Sequence, residues 1–464
     1  MADVTQTLAE TFLAQFQQAL AQGDRAAAEA CVRAALHAGP ERAEWHANLA
    51  WLLDQRGATD EALAHYGQAI ALQPGNAQIY RNLGALLAEQ KAHGVAEETY
   101  RRALALEPDS PGGWSNLGAL QAQTGRDTEA EASLRRALAL DDSHAAAHFN
   151  LACLLLRQGR LEEGWAHWEA RDGYAPLAAQ LHCPRWQGQA LAGQSILVGY
   201  EGGHGDMIQF SRYVALLRAQ GAARVGLLCH PALAALLGTL EGVDAVLAFD
   251  TAWPRAGWDW WVPVLSLPFL FATRLDSVPA RIPYLRVPID RRAVWRETVQ
   301  RLCPQPTLRV GLVWHGNPDF QNDDARSLPG LSALAPLWRV PGVRFVSLQK
   351  GRGEQEARTP PQEQPIGDVA SGLQDFADTV AVVEQLDLVI SVDTAVAHLS
   401  AALGIPCWLL LPAYMPDWRW LEGRDDSPWY PGVMRLFRQL PGQGWSPVVE
   451  RVRAALAQRL SGGP

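Results

Sequence analysis

The chain has 464 residues, room for two or three domains, and 48% of them are hydrophobic, enough for sizeable cores. Its formal net charge of -9 comes without any long basic run, which speaks against general nucleic-acid binding. The N-terminus lacks a charged segment leading into an apolar core, and no apolar run is long enough to span a bilayer, so the chain is expected to be cytoplasmic. Cys31, Cys153, Cys183, Cys229, Cys303 and Cys407 are scattered without C-x-x-C spacing. They read as buried thiols of a reducing compartment, with neither a disulfide frame nor a zinc site.

From the N-terminus, asparagine recurs every 34 residues, at Asn48, Asn82, Asn116 and Asn150. Each is followed by Leu and then Ala or Gly. The aligned units run 43–76, 77–110, 111–144 and 145–178, with a weaker unit at 9–42 that has Ala14 in the asparagine column. A fixed period of this length predicts stacked helix pairs, the tetratricopeptide (TPR) repeat. Ala62, Ala96, Ala130 and Gly164 share a small-residue column; Tyr66, Tyr100, Leu134 and Trp168 share a bulky one. Small residues let two helices approach while the bulky ones fill the gap beside them. Pro74, Pro108 and Pro176 form a third column, where proline is expected to stop helix propagation. The boundary of the solenoid is set at 178, followed by a linker over 179–193. The asparagine row either bridges neighbouring helices or lines a surface that holds an extended peptide.

After Pro184-Arg185-Trp186 the helical period stops. Short apolar runs at Ser195–Tyr200, Arg224–Cys229, Ala245–Phe249 and Trp260–Val264 predict one strand series. A second series is Leu308–Trp314, Val343–Leu348, Leu388–Val392 and Cys407–Leu411. Strands alternating with helices predict two parallel Rossmann-like subdomains, 194–300 and 301–464, the second closed by a helix near 446–460. Ligands of such sheets bind past the carboxyl ends of the strands.

Three strand ends carry candidate chemistry. The first gives Glu201-Gly202-Gly203-His204-Gly205-Asp206, either a glycine-rich turn that lets backbone approach a ligand or a tight turn with Asp206 as N-cap. Past the strand from Leu308 come His315, Gly316 and Asn317, then Arg326, which is a solvated cation or a phosphate partner. Past Leu388–Val392 come Asp393, Thr394, Ala395, Val396 and His398. These form an ordinary Asp/Thr cap with an interior histidine, or a phosphate cradle of helix-start amides. Trp418, Trp420 and Trp429 fit either the wall of a pocket or an interdomain core.

The segment Ser391-Val392-Asp393-Thr394-Ala395-Val396-Ala397-His398-Leu399, with Gly404-Ile405-Pro406 after it, resembles the donor-site motif of bacterial heptosyltransferase-like GT-B glycosyltransferases. Gly205-Asp206 resembles their N-terminal turn, whose aspartate is the proposed base. Arg326 falls where that family has a basic residue on the donor phosphates. The repeats resemble those of protein O-linked N-acetylglucosamine transferases, which hold peptide with asparagines in this column. Asp417-Trp418-Arg419-Trp420 and Ser427-Pro428-Trp429-Tyr430 complete a likeness to bacterial TPR glycosyltransferases, some of which modify flagellin. Ala395 departs from the glycine usual in heptosyltransferases, which leaves room for a donor other than ADP-heptose.

The resemblance implies an α-solenoid followed by a GT-B fold. The implied reaction is metal-independent transfer of a sugar from a nucleotide-sugar co-substrate to a hydroxyl, with no other cofactor. Asp206 or His204 would take the acceptor proton. Arg326, Asp393, Thr394, Ala395, Val396, His398, His315, Gly316 and Asn317 would hold the donor. Asn48, Asn82, Asn116 and Asn150 would hold a protein acceptor. Two alternatives stay open: a transferase for a lipid-linked or surface polysaccharide, and a repeat scaffold with a degenerate enzyme domain. Self-association into a homo-oligomer is compatible with either.

Overall fold

The computed structural model describes residues 2–39, 41–304 and 306–462, with side chains described from residue 11 onward. The chain divides into two compact units, Met1–Leu154 and Leu155–Pro464, and the division falls within the helix Ala145–Arg157. Among the described residues no helix is long and apolar enough to cross a membrane.

The first unit is a TPR solenoid. Its helix pairs are Ala2–Ala21 with Arg25–Ala38, Ala43–Gln55 with Thr59–Leu72, Ala77–Glu89 with His93–Leu106, and Pro111–Gln123 with Asp127–Leu140. The small-residue column sits at the crossing points: Ala62, Ala96 and Ala130 are fully buried. Opposite them, glycines make room for the bulky column. A Cβ on Gly84 would come within 2.5 Å of the Tyr100 ring, and one on Gly118 within 2.7 Å of Leu134. Turns between paired helices need a left-handed residue, supplied by Gly57 and Gly125 but by Lys91 (φ 58°) in the unit between them. Asn76 and Ser110 cap the helices that follow them through their side-chain oxygens.

The second unit opens with the second helix of the last repeat, Leu161–Trp168, which is only 8 residues long against 14 for its counterparts. Pro176 does not close it. It lies in the first turn of a separate short helix, Ala175–Ala178, a position that tolerates the missing N–H. Arg171 turns back to form a buried pair with Glu201, Nε to Oε1 at 2.7 Å and Nη2 to Oε2 at 2.8 Å, and also meets Ser266 Oγ at 2.8 Å. Within the segment expected as a linker, Trp186 donates its backbone N–H to Trp261 O at 2.8 Å.

Two parallel sheets follow. The first has the order β3-β2-β1-β4, with β1 Ser195–Gly199, β2 Arg224–Cys229, β3 Ala245–Ala248 and β4 Trp260–Pro263. The second has the order β10-β9-β8-β5-β6-β7. Its strands are β5 Leu308–Val313, β6 Val343–Ser347, β7 Ile366–Asp368, β8 Leu388–Val392, β9 Cys407–Leu411 and β10 Met434–Arg438. β8 and β9 are buried at every residue, as apolar runs in the middle of a parallel sheet must be. β7 and β10 extend the second series beyond the sequence expectation. The closing helix Ser446–Leu460 buries Val448, Val449, Val452 and Leu456 in the core of the six-stranded sheet, with Val310 and Ile390, and so belongs to that sheet.

The strand order reverses between β1 and β4 in one sheet and between β5 and β8 in the other. Such switch points open a crevice at the strand ends. The segments after β1, β5 and β8 carry Asp206, His315–Asn317 and Asp393–His398.

Candidate functional site: a strand-end cavity

These segments line one cavity of about 580 Å³, joined by the residues after β6 and β9. Its chemistry is uneven. Its lining includes Arg326, Lys350 and Arg352, with Asp323 held by both arginines, and also Asp206, Asp393 and Asp417, of which Asp206 and Asp417 pair with Arg419.

Asp206 sits in the first turn of the helix His204–Phe210. Its Oδ2 accepts the Gly203 N–H at 2.6 Å, which closes the turn. Gly202 (φ +73°) permits this: a Cβ there would lie 2.5 Å from the same oxygen. Asp206 Oδ1 accepts from Arg419 Nη2. Burial raises the Asp206 carboxyl above the ordinary range, and Arg419 is the main charge acting against that rise. His204 meets His230 edge-to-face at 4.5 Å and Phe376 at 5.3 Å. Burial and His230 together lower its pKa, so the ring tends to be neutral.

Asp393 ends β8. Its Oδ2 accepts from Trp420 Nε1 at 2.8 Å. Burial, then the like charge of Asp417, push its carboxyl up to about 6. Thr394 precedes the helix Ala395–Ala402 in extended conformation, and its hydroxyl meets Ser391 Oγ at 3.0 Å without capping the helix. The amides of Ala395 and Val396 therefore have no acceptor among the described residues. His398 is 4% exposed. Its Nδ1 pairs with the Tyr430 hydroxyl at 2.8 Å, and its ring lies 5.3 Å from that of Trp420. Burial, with Arg419 and Arg212 nearby, holds the imidazole well below its usual pKa, hence neutral near pH 7. Its other edge faces Gly205, where a Cβ would be 2.9 Å from Cδ2.

Arg326 is not a freely solvated cation. Asp323 Oδ1 accepts from its Nε at 3.1 Å, and its guanidinium lies 4.3 Å from the centre of the Phe320 ring. Gly316 makes room for it: a Cβ there would come within 2.4 Å of Nη2. Asp323 is 2% exposed whereas Asp324 is exposed, so the two neighbouring carboxylates divide into an inward and an outward residue. Asn317 gives its carbonyl to Arg326 at 3.4 Å. His315 is buried; its Nε2 lies 3.3 Å from Glu356 Oε1, and its Nδ1 has no partner among the described residues. Gln349, after β6, accepts the N–H groups of Trp314 and His315 at 2.9 and 2.8 Å, which fixes the end of β5 against that of β6.

Sequence reasoning missed Lys350, Arg352, Phe376, Asp417 and Arg419 as parts of the cavity. The rule that ligands sit past strand ends applied equally to β6 and points to the first two. The tryptophans do not wall the cavity. Trp420 and Trp429 are at most 1% exposed, and Trp418 forms an edge-to-face cluster with Trp165 at 5.2 Å. They belong to the core of this unit.

In the first unit the asparagines occupy the first helix of each pair, all half-buried. Asn82 Oδ1 accepts from Gln78 at 2.6 Å. Asn48, Asn116 and Asn150 have no side-chain hydrogen bond among the described residues. Gln78 lies on the same helix as Asn82, so among the described residues none of the four amides bridges helices by a side-chain hydrogen bond.

A family model described as "TPR repeat" matches residues 53–91, and one described as "Tetratricopeptide repeat" matches 13–66, 93–143 and 116–167. Protein FlbA of Caulobacter vibrioides is 30% identical over 327 residues, covering 63% of this chain and 52% of FlbA. The chain thus spans about half the length of that curated relative. The matched share exceeds the repeat segment, so the likeness runs into the α/β unit. Among solved structures, pilF of Pseudomonas aeruginosa is 23% identical, with 36% of this chain and 76% of that chain covered and a TM-score of 0.33. TTC0263, a TPR protein of Thermus thermophilus, is 26% identical over 36% of this chain and 92% of its own, with a TM-score of 0.33. Residues 13–167 thus carry tetratricopeptide repeats, the chain is similar to FlbA, and two parallel α/β sheets follow the repeats.

Proposed function

We propose that the second unit is a GT-B glycosyltransferase and that the repeats bring it a protein acceptor. The observation that carries this reading is that one cavity holds free helix-start amides, cationic side chains and the Asp206 carboxylate together. Unpartnered helix-start amides at Ala395 and Val396, with Arg326, Lys350 and Arg352 in the same cavity, suit donor phosphates. Asp206 suits removal of a proton from an attacking hydroxyl. In the step proposed, the acceptor oxygen bonds to the anomeric carbon, the carbon–oxygen bond to phosphate breaks, and the acceptor proton passes to Asp206. The departing phosphate keeps the bonding electrons and is stabilised by the amides and Arg326. The free amides of Asn48, Asn116 and Asn150 suit recognition of an extended backbone, because they can both donate to its carbonyls and accept from its N–H groups.

The donor half is tested by thermal denaturation of the full chain with UDP, GDP, ADP and CMP and their sugar conjugates. A ligand of the native state raises the midpoint as its concentration grows. One nucleotide class is expected to do so, and Arg326→Ala to weaken it by roughly 10-fold to 100-fold, the worth of a charge-assisted hydrogen bond. No shift with any nucleotide at millimolar concentration would remove the donor site.

A further inference from the structure

Arg419 follows β9 in the turn Trp418–Trp420 and is 8% exposed. Its guanidinium is engaged on every edge. Nε donates to Gln209 Oε1 at 2.7 Å, Nη1 to Asp417 Oδ2 at 2.7 Å, and Nη2 to Asp206 Oδ1. The rings of Trp418 and Phe210 lie 4.6 and 5.6 Å away. Asp206 and Gln209 stand on the helix after β1, whereas Arg419 and Asp417 lie in the segment between β9 and β10 of the other sheet. Gln209 is fully buried, and its amide nitrogen has no partner among the described residues. A buried orphan donor is unfavourable, and a leucine would avoid it. Glutamine here makes sense if its carbonyl is needed to fix the guanidinium.

We propose that Arg419, braced by Gln209 and Asp417, is a positioning residue that holds the Asp206 carboxylate at the cavity face for proton removal from the acceptor. The inference rests on the transferase reading above. Burial disfavours the Asp206 anion, and Arg419 is the principal opposing charge. Asp417 adds a like charge, Asp393 also lies near Arg419, Tyr200 is within electrostatic reach, and the neutral rings of His204 and His398 border the turn. Lysine cannot replace Arg419, because a single ammonium lacks the planar fork that meets three acceptors at once.

The test compares Arg419→Gln, Arg419→Lys and Gln209→Leu in the full chain. Loss of Arg419 is expected to move the acid limb of kcat/KM upward by about 1–2 pH units, since an opposite charge shifts a carboxyl by roughly that much. kcat should fall while the donor KM stays nearly unchanged. Gln209→Leu should move the limb in the same direction by less, with no loss of thermal stability, and Arg419→Lys should fall between wild type and Arg419→Gln. If Arg419→Gln does not fold, Gln209→Leu decides. A direct readout is the 13C carboxyl titration of Asp206, identified by its absence in Asp206→Asn; its midpoint should rise in Gln209→Leu. Equal loss of rate at all pH values, or an unmoved Asp206 midpoint in a chain that still transfers sugar, overturns the role of Arg419 alone. A wild-type chain that transfers no sugar overturns the transferase reading and, with it, the use assigned to Arg419.

Discussion

Asp206 and Asp393 are both partly buried carboxylates in one cavity, yet their partners differ. Asp206 accepts from a guanidinium and a backbone amide, whereas Asp393 accepts from an indole N–H and faces Asp417. Asp206 is therefore the better anion. Asp206→Asn should keep the bond from Gly203, leave donor affinity nearly intact, and lower transfer by about 10²–10⁴-fold, the usual effect of removing a positioned base. Single-turnover kinetics would check this. Asp393 should take up a proton as pH falls through about 6. Its charge then no longer opposes donor phosphate, so the Kd of the bound nucleotide should drop by roughly 3–10-fold between pH 7 and pH 5, a charge effect near 1 kcal/mol. The stability sign follows from the same shift. The folded state holds a proton that the unfolded chain, with a carboxyl near 3.8, has released, so this group costs stability as pH rises from 3.8 to about 6. Asp393→Asn should raise the melting temperature at pH 7 but not at pH 3, and should flatten the pH dependence of donor binding seen by calorimetry. The cavity's residues from strand ends were legible in the sequence because glycine and polar residues cluster there. The Arg419–Asp206 pair was not, since its members are 213 residues apart and no local pattern links them.

At the scale of the element, the repeats were legible because a period of 34 residues leaves the same residue types at the same helical faces. What the period hides is the departure from it. Pro176 keeps its column but lies in the first turn of a helix, and Arg171, just before that helix, forms a buried pair with Glu201. β7 escaped notice because it has three residues, too few to show an alternation. The asparagine row makes a definite expectation. Asn82, Asn116 and Asn150 changed together to Ala should weaken binding of a protein acceptor without affecting nucleotide binding or melting temperature, because two of the three amides release no internal hydrogen bond. Single changes should have small effects, each neutral bond contributing about 0.5–1.5 kcal/mol. Loss of stability with acceptor affinity intact would assign the row to the scaffold.

At the scale of the whole molecule, the second unit begins within the last repeat, near residue 155. Trp165 donates its indole N–H to Thr273 O at 3.1 Å and packs against Trp418, and Arg171 neutralises buried Glu201. A fragment 155–464 should fold cooperatively. A fragment 179–464 should not, because it exposes the tryptophan cluster and leaves Glu201 buried without its partner, a defect that costs about 3–5 kcal/mol. Calorimetric unfolding and sedimentation of the two fragments would distinguish them; equal stability would show that these contacts are dispensable.

The central claim is transfer of a sugar to protein, and the most direct measurement is incorporation of label. The full chain is mixed with a radiolabelled sugar nucleotide of the class that stabilises it and with proteins extracted from its native cells. Label is expected in the acid-precipitable protein fraction, released by alkaline β-elimination as a sugar on serine or threonine should be, and lost with Asp206→Asn. Label that partitions into lipid or polysaccharide, or no incorporation by a chain that binds the nucleotide, would contradict the account.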